Sequence, residues 1–71
     1  MKKITWKQRW NPDFAKQSDK ERKQEIHDCI VDANGPGRIK VTSIKHLGNG
    51  VWKFTVVGSE RMIQMVKEAV R

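Results

Sequence analysis

Cysteine is close to absent from this sequence: Cys29 stands alone among 71 residues. No disulfide can form within the chain, and a reducing cytoplasm is the expected setting. Tyrosine is missing altogether, which removes the phenol as an acid or base. Long apolar runs are missing too. No stretch approaches the roughly 18 residues of a membrane span, and the opening Met1-Lys2-Lys3-Ile4-Thr5-Trp6-Lys7 is too polar for a signal peptide. Negative charge is scarce, with 8 Asp and Glu against 15 Lys and Arg, a formal net charge of +7. Such an excess says nothing about fold but favours polyanionic partners: nucleic acid, RNA ahead of DNA, or else an acidic protein surface.

Chemistry that needs clustered groups is hard to find. His27 and Cys29 lie two apart on an expected helix and so point in different directions, and no further His or Cys cluster accompanies them. No P-loop or pair of carboxylates is visible. No metal and no cofactor is expected, and the chain does not read as an enzyme on its own residues. Its length fits one domain, residues 1–71, and folding at this size buries only about 60% of the unfolded chain's surface. The three tryptophans and two phenylalanines must supply much of the core, leaving little for a deep catalytic cavity.

The apolar pattern predicts an α+β domain. Lys3 to Lys7 alternate, with Ile4 and Trp6 on one side, as in a half-buried strand. Asn11-Pro12 marks a break or helix start, with Phe14 as an anchor to the core. Ser18-Asp19-Lys20-Glu21 fits a capping box, and Ile26, Cys29, Ile30 and Ala33 then form a helical stripe, with Cys29 expected as packing. Asn34-Gly35-Pro36-Gly37 ends the helix, expected over about 18–33. This loop superficially resembles the GxxG phosphate clamp of KH domains, but that clamp joins two helices and this one leads into a strand. Two strands follow, Arg38 to Leu47 and Val51 to Val57, joined by Gly48-Asn49-Gly50. Ile39 and Val41 share one parity while Ile44 has the other, so a bulge near Thr42-Ser43 is expected. From Ser59 onward, Met62, Ile63, Met65, Val66, Ala69 and Val70 suit a helix better than a fourth strand. The expected order is β-α-β-β-α, with a sheet of about three antiparallel strands packed on two helices.

Charge is segregated along this order. Segments 1–10 and 38–57 carry Lys2, Lys3, Lys7, Arg9, Arg38, Lys40, Lys45 and Lys53 and no carboxylate. Segment 11–37 has more acidic than basic residues, and 58–71 is nearly balanced. If both helices cover one face of the sheet, the other face presents Lys3, Lys7, Arg38, Lys40, Lys45 and Lys53, spaced by Thr5, Thr42 and Thr55. A solvated sheet face must be polar, but nothing requires it to have one sign. Such a surface can neutralise phosphates and release their counterions. Arg9 and Trp10 complete the candidate set: Trp10 either stacks on a base or partner or closes the edge of the core.

Short motifs add one resemblance. Ile4-Thr5-Trp6, Asp19-Lys20-Glu21-Arg22, Lys45-His46-Leu47, Gly50-Val51-Trp52-Lys53-Phe54 and Arg61-Met62-Ile63 together resemble the RelE/YoeB superfamily of small basic toxins, which cleave messenger RNA on the ribosome and are held inactive by an antitoxin. The resemblance implies that Lys40, Lys45 and Lys53 line an RNA-facing sheet and that Arg61 stabilises charge on the scissile phosphate, with His46 a bystander. The family's further C-terminal strand, with its catalytic His or Tyr, has no counterpart here. Three expectations therefore stand: a nucleic-acid-binding accessory or regulatory module, an interaction module that inhibits or adapts an acidic partner as small phage-encoded proteins do, with Trp10 or Phe14 as its hot spot, and a toxin-like ribonuclease. Oligomeric state is left open.

Overall fold

A computed structural model describes residues 1–70. The elements run β1 (Lys2–Arg9), α1 (Asp19–Asn34), β2 (Ile39–Gly48), β3 (Val51–Gly58) and α2 (Glu60–Ala69), with a 3-10 turn at Pro12–Lys16 between β1 and α1. The strands form one antiparallel sheet in the order β1-β3-β2. This is the small α+β architecture expected, with the C-terminal segment helical.

Local chemistry accounts for the boundaries. Asn11 accepts the Asp13 amide at 2.9 Å, opening the 3-10 turn, and Phe14 drops from it into the core at 1% exposure. At the start of α1 the Ser18 hydroxyl accepts the Glu21 amide (3.2 Å), and the Glu21 carboxylate accepts the Ser18 amide (3.0 Å), so two otherwise unpaired donors are satisfied reciprocally. Gly35 ends α1 with φ +83° and its amide on the Val31 carbonyl. The β2–β3 hairpin closes through Asn49 and Gly50, φ +55° and +75°, the double left-handed conformation that lets a two-residue turn follow the twist of the strands. Ser59 caps α2 by accepting the Met62 amide at 3.3 Å.

Register then decides which side chains are inside. Trp52, Phe54 and Val56 of the central strand are all buried. Opposite them stand Gln8, Trp6 and Ile4 of β1, and His46, Ile44 and Val41 of β2. The pairing of β2 shifts between Val41 and Ser43, so the expected bulge is present and brings Ile39, Val41 and Ile44 to one face. Both helices cover that face, α1 chiefly on β2 and α2 on β1 and β3. Ile26, Ile30, Met62, Ile63 and Val66 complete the core from their side.

The apolar stripe of α1 needs a correction. Ile26 and Ile30 are buried, but Cys29 and Ala33 are exposed. An open groove of about 180 Å³ lies there, lined by Cys29, Ala33, Val66 and Ala69 among others, so Cys29 borders the groove instead of packing. Partial burial, followed by the charges of Glu25, Asp32 and Asp28, pushes its thiol pKa up, which disfavours the nucleophilic thiolate.

Candidate nucleic-acid interface

The face of the sheet away from the helices is organised in cross-strand rows. Lys3 of β1 lies opposite Val57, which lies opposite Lys40 of β2. In the next row Thr5, Thr55 and Ser43 align, and the Thr5 and Thr55 hydroxyls share a hydrogen bond of 3.1 Å. Thr42 occupies the bulge and donates its hydroxyl to the Thr55 carbonyl at 3.1 Å. The third row is Lys7, Lys53 and Lys45, one lysine on each strand and all three exposed. Arg9 and Val51 continue the face toward the hairpin turn, where the Arg9 guanidinium donates to the Asn49 carbonyl at 2.8 Å.

The lysine row is electrostatically unfavourable for the isolated fold. Directly opposed residues on antiparallel strands hold their Cβ atoms about 5 Å apart, and like charges there destabilise the pair. Solvent and the flexible lysine stems reduce that cost without reversing its sign. None of the three strands carries an Asp or Glu. Among the described residues, the ion pairs are Lys16 with Asp13 and Lys23 with Asp19, and the His27 ring lies 3.5 Å from the Asp28 carboxylate, all within the 3-10 turn and α1. The strand lysines therefore have no carboxylate partner among the described residues. With strands about 4.8 Å apart, the row spans roughly 10 Å, and Lys3 to Lys7 adds about 13 Å along β1.

Lys3, Lys7, Arg9, Lys40, Lys45 and Lys53 thus share one face. Arg38 precedes β2 at its margin, exposed, with its carbonyl accepting the Ser59 amide at 3.0 Å. Trp10 lies on the helical side, half-buried, its rings 5.9 Å from Phe14 and 5.8 Å from Phe54, with its indole N–H donated to the Glu25 carboxylate at 2.6 Å. Arg61 stands exposed in the first turn of α2, in the helical layer, apart from the face that carries Lys40, Lys45 and Lys53. Ser43 was not singled out from the sequence. Its place opposite Thr55 depends on the bulge, whose parity break was visible but whose exact position was not.

Among the described residues no three His, Cys, Asp or Glu side chains gather as a metal site would require, and no helix is long and apolar enough to cross a membrane. The chain matches no known family model, no curated protein and no solved structure.

Proposed function

We propose that this protein is a nucleic-acid-binding accessory or regulatory module that holds backbone phosphates on the open face of its sheet, RNA ahead of DNA. The observation that carries the reading is the Lys7–Lys53–Lys45 row. Three opposed cations without carboxylate partners among the described residues cost stability in the free protein, and a polyanion lying across them offsets that repulsion with its own attraction to each and releases its counterions. Lys3, Lys40 and Arg9 extend the positive surface, and Arg38 flanks it.

The preference for RNA draws support from shape. The duplex DNA major groove is read by an inserted helix or two-stranded ribbon, whereas here both helices lie behind a three-stranded sheet. Thr5, Thr55 and Ser43 between the basic rows offer hydroxyls suited to bonding a ribose 2′-OH. An acidic protein could use the same charges. However, Phe14 is in the core and Trp10 is committed to Glu25, so the aromatic anchors of such an interface are not on this face.

Fluorescence anisotropy with labelled single-stranded RNA, single-stranded DNA and duplex DNA, across a salt series, tests the reading. Intact protein should bind RNA best, with affinity falling steeply as salt rises. A Lys40→Ala/Lys53→Ala variant should bind more weakly and show a salt slope reduced by about 1.4, the loss of two single-strand phosphate contacts. Absence of binding to all three would reject the reading and turn attention to an acidic protein. Shortening of the RNA, abolished by Arg61→Ala, would instead mark a toxin-like nuclease.

A further inference from the structure

At the hairpin end of the sheet, on the helical side and so across the sheet from the lysine row, an open hollow of about 460 Å³ is lined by Arg9, Pro12, His46, Asn49, Gly50 and Trp52, among others. We propose that it receives one unpaired nucleobase of a single strand whose phosphates lie on the lysine face. The inference rests on the nucleic-acid reading above and adds that the ligand is single-stranded at this point and is held through a base as well as through its backbone.

The wall of the hollow contains a fixed aromatic platform. The His46 ring lies nearly flat on Trp52, with centroids 4.3 Å apart and planes 20° from parallel. Trp52 is buried at 3% exposure while His46 is exposed, so the stack has one end in the core and the other open to solvent. Trp52 is itself held by Phe14, nearly perpendicular to it with centroids 4.9 Å apart, and by the Arg22 guanidinium 5.0 Å from its ring. Arg22 is tied in turn to the carbonyls of Phe14 (2.9 Å) and Ala15 (2.7 Å). A base stacking on His46 would meet a ring whose orientation is already set, and base–aromatic stacking of this kind is strong and tolerant of sequence.

Polar groups flank the platform. Arg9 belongs both to the basic face, two residues beyond Lys7 on β1, and to the hollow. Of its five N–H donors, Nη1 is directed to the Asn49 carbonyl, and the guanidinium retains others for a base carbonyl or a phosphate. Asn49 is exposed at the turn, where its side-chain amide offers both a donor and an acceptor to a base edge. Lys7 and Arg9 are about 7 Å apart along the strand, and Arg9 is the last residue of the edge strand β1, so a chain held at Lys7 can continue past Arg9, round the end of the sheet, and turn a base into the hollow on the other side. Paired bases in a duplex are already stacked and cannot do so.

The test compares a short single-stranded RNA with a ribose-phosphate chain of the same length lacking bases, by anisotropy and by amide chemical-shift mapping, using intact protein and His46→Ala. Intact protein should bind the base-bearing chain about tenfold more tightly, and only that chain should shift the amides of His46, Asn49 and Gly50. His46→Ala should lose the preference yet keep its affinity for the base-free chain. Equal affinity for both chains, hollow amides that respond to the base-free chain alike, or a preference surviving in His46→Ala would each overturn the inference while leaving the lysine face in place. Failure to bind either chain would remove the underlying reading and this one with it.

Discussion

The central strand β3 carries two opposite surfaces on alternate residues. Trp52, Phe54 and Val56 face the helices at 3%, 0% and 0% exposure. Lys53, Thr55 and Val57 face the other way, in rows with Lys7 and Lys45, with Thr5 and Ser43, and with Lys3 and Lys40. The first surface is shaped by packing, with Phe54 touching Trp6, Trp10 and Phe14 at ring-centroid distances of 5.3–6.2 Å. The second gains nothing from its charges in the free protein. A strand can thus serve stability on one side and carry an unfavourable charge pattern on the other, because the pleat separates them.

The comparison breaks most readily from the inner face. Phe54→Ala should cost about 3–5 kcal/mol, a large part of what a domain of this size holds, and urea denaturation should show most of the cooperative transition lost or shifted far toward low denaturant. The turn that sets the hairpin register comes next. Gly50 sits at φ +75°, where a side chain costs about 1–2 kcal/mol, so Gly50→Ala should lower the denaturation midpoint without changing its slope.

The outer face predicts the opposite sign. Lys53→Thr relieves the middle of the lysine row and should raise stability by about 0.2–1 kcal/mol while weakening RNA binding. A loss of stability in this variant would mean that the row is structurally supportive after all. The smallest effect belongs to neither face. The Ser18 amide and hydroxyl hold the Glu21 carboxyl pKa below its ordinary value, so its contribution is fully present above that ordinary value and fades as pH falls through the lowered one. The melting temperature of Glu21→Gln should therefore fall below that of the intact protein at neutral pH, with the gap closing in acid.

Much of this was legible in advance because it depends on near neighbours. Ser18 and Glu21 are three residues apart, Asn49 and Gly50 are adjacent, and the parity break between Val41 and Ile44 required a bulge within three residues. The basic composition of the strands was legible too. The stripe on α1 misled because periodicity identifies an apolar side of a helix without saying how much of it a second helix covers, and α2 leaves Cys29 and Ala33 at an open groove. For Trp10 the sequence offered two readings, and its hydrogen bond to Glu25, fifteen residues away, was not visible there.

By itself, then, the sequence determined the kinds of element, their order, the turn that joins β2 to β3 and the concentration of positive charge in the strands, since each follows from backbone preference or side-chain period over a few residues. Only the tertiary structure decided that β3 lies between β1 and β2, that Lys7 falls opposite Lys53 and Lys53 opposite Lys45, and that His46, Trp52 and Arg9 meet around one hollow. The alignments that involve β1 join segments far apart in the chain, and that of Lys45 with Lys53 depends on the register shifts within the β2–β3 hairpin. They are fixed by burying Ile4, Trp6, Phe54 and Val56 against one helical layer, and a slip of one residue in either pairing would carry the lysines to the other face.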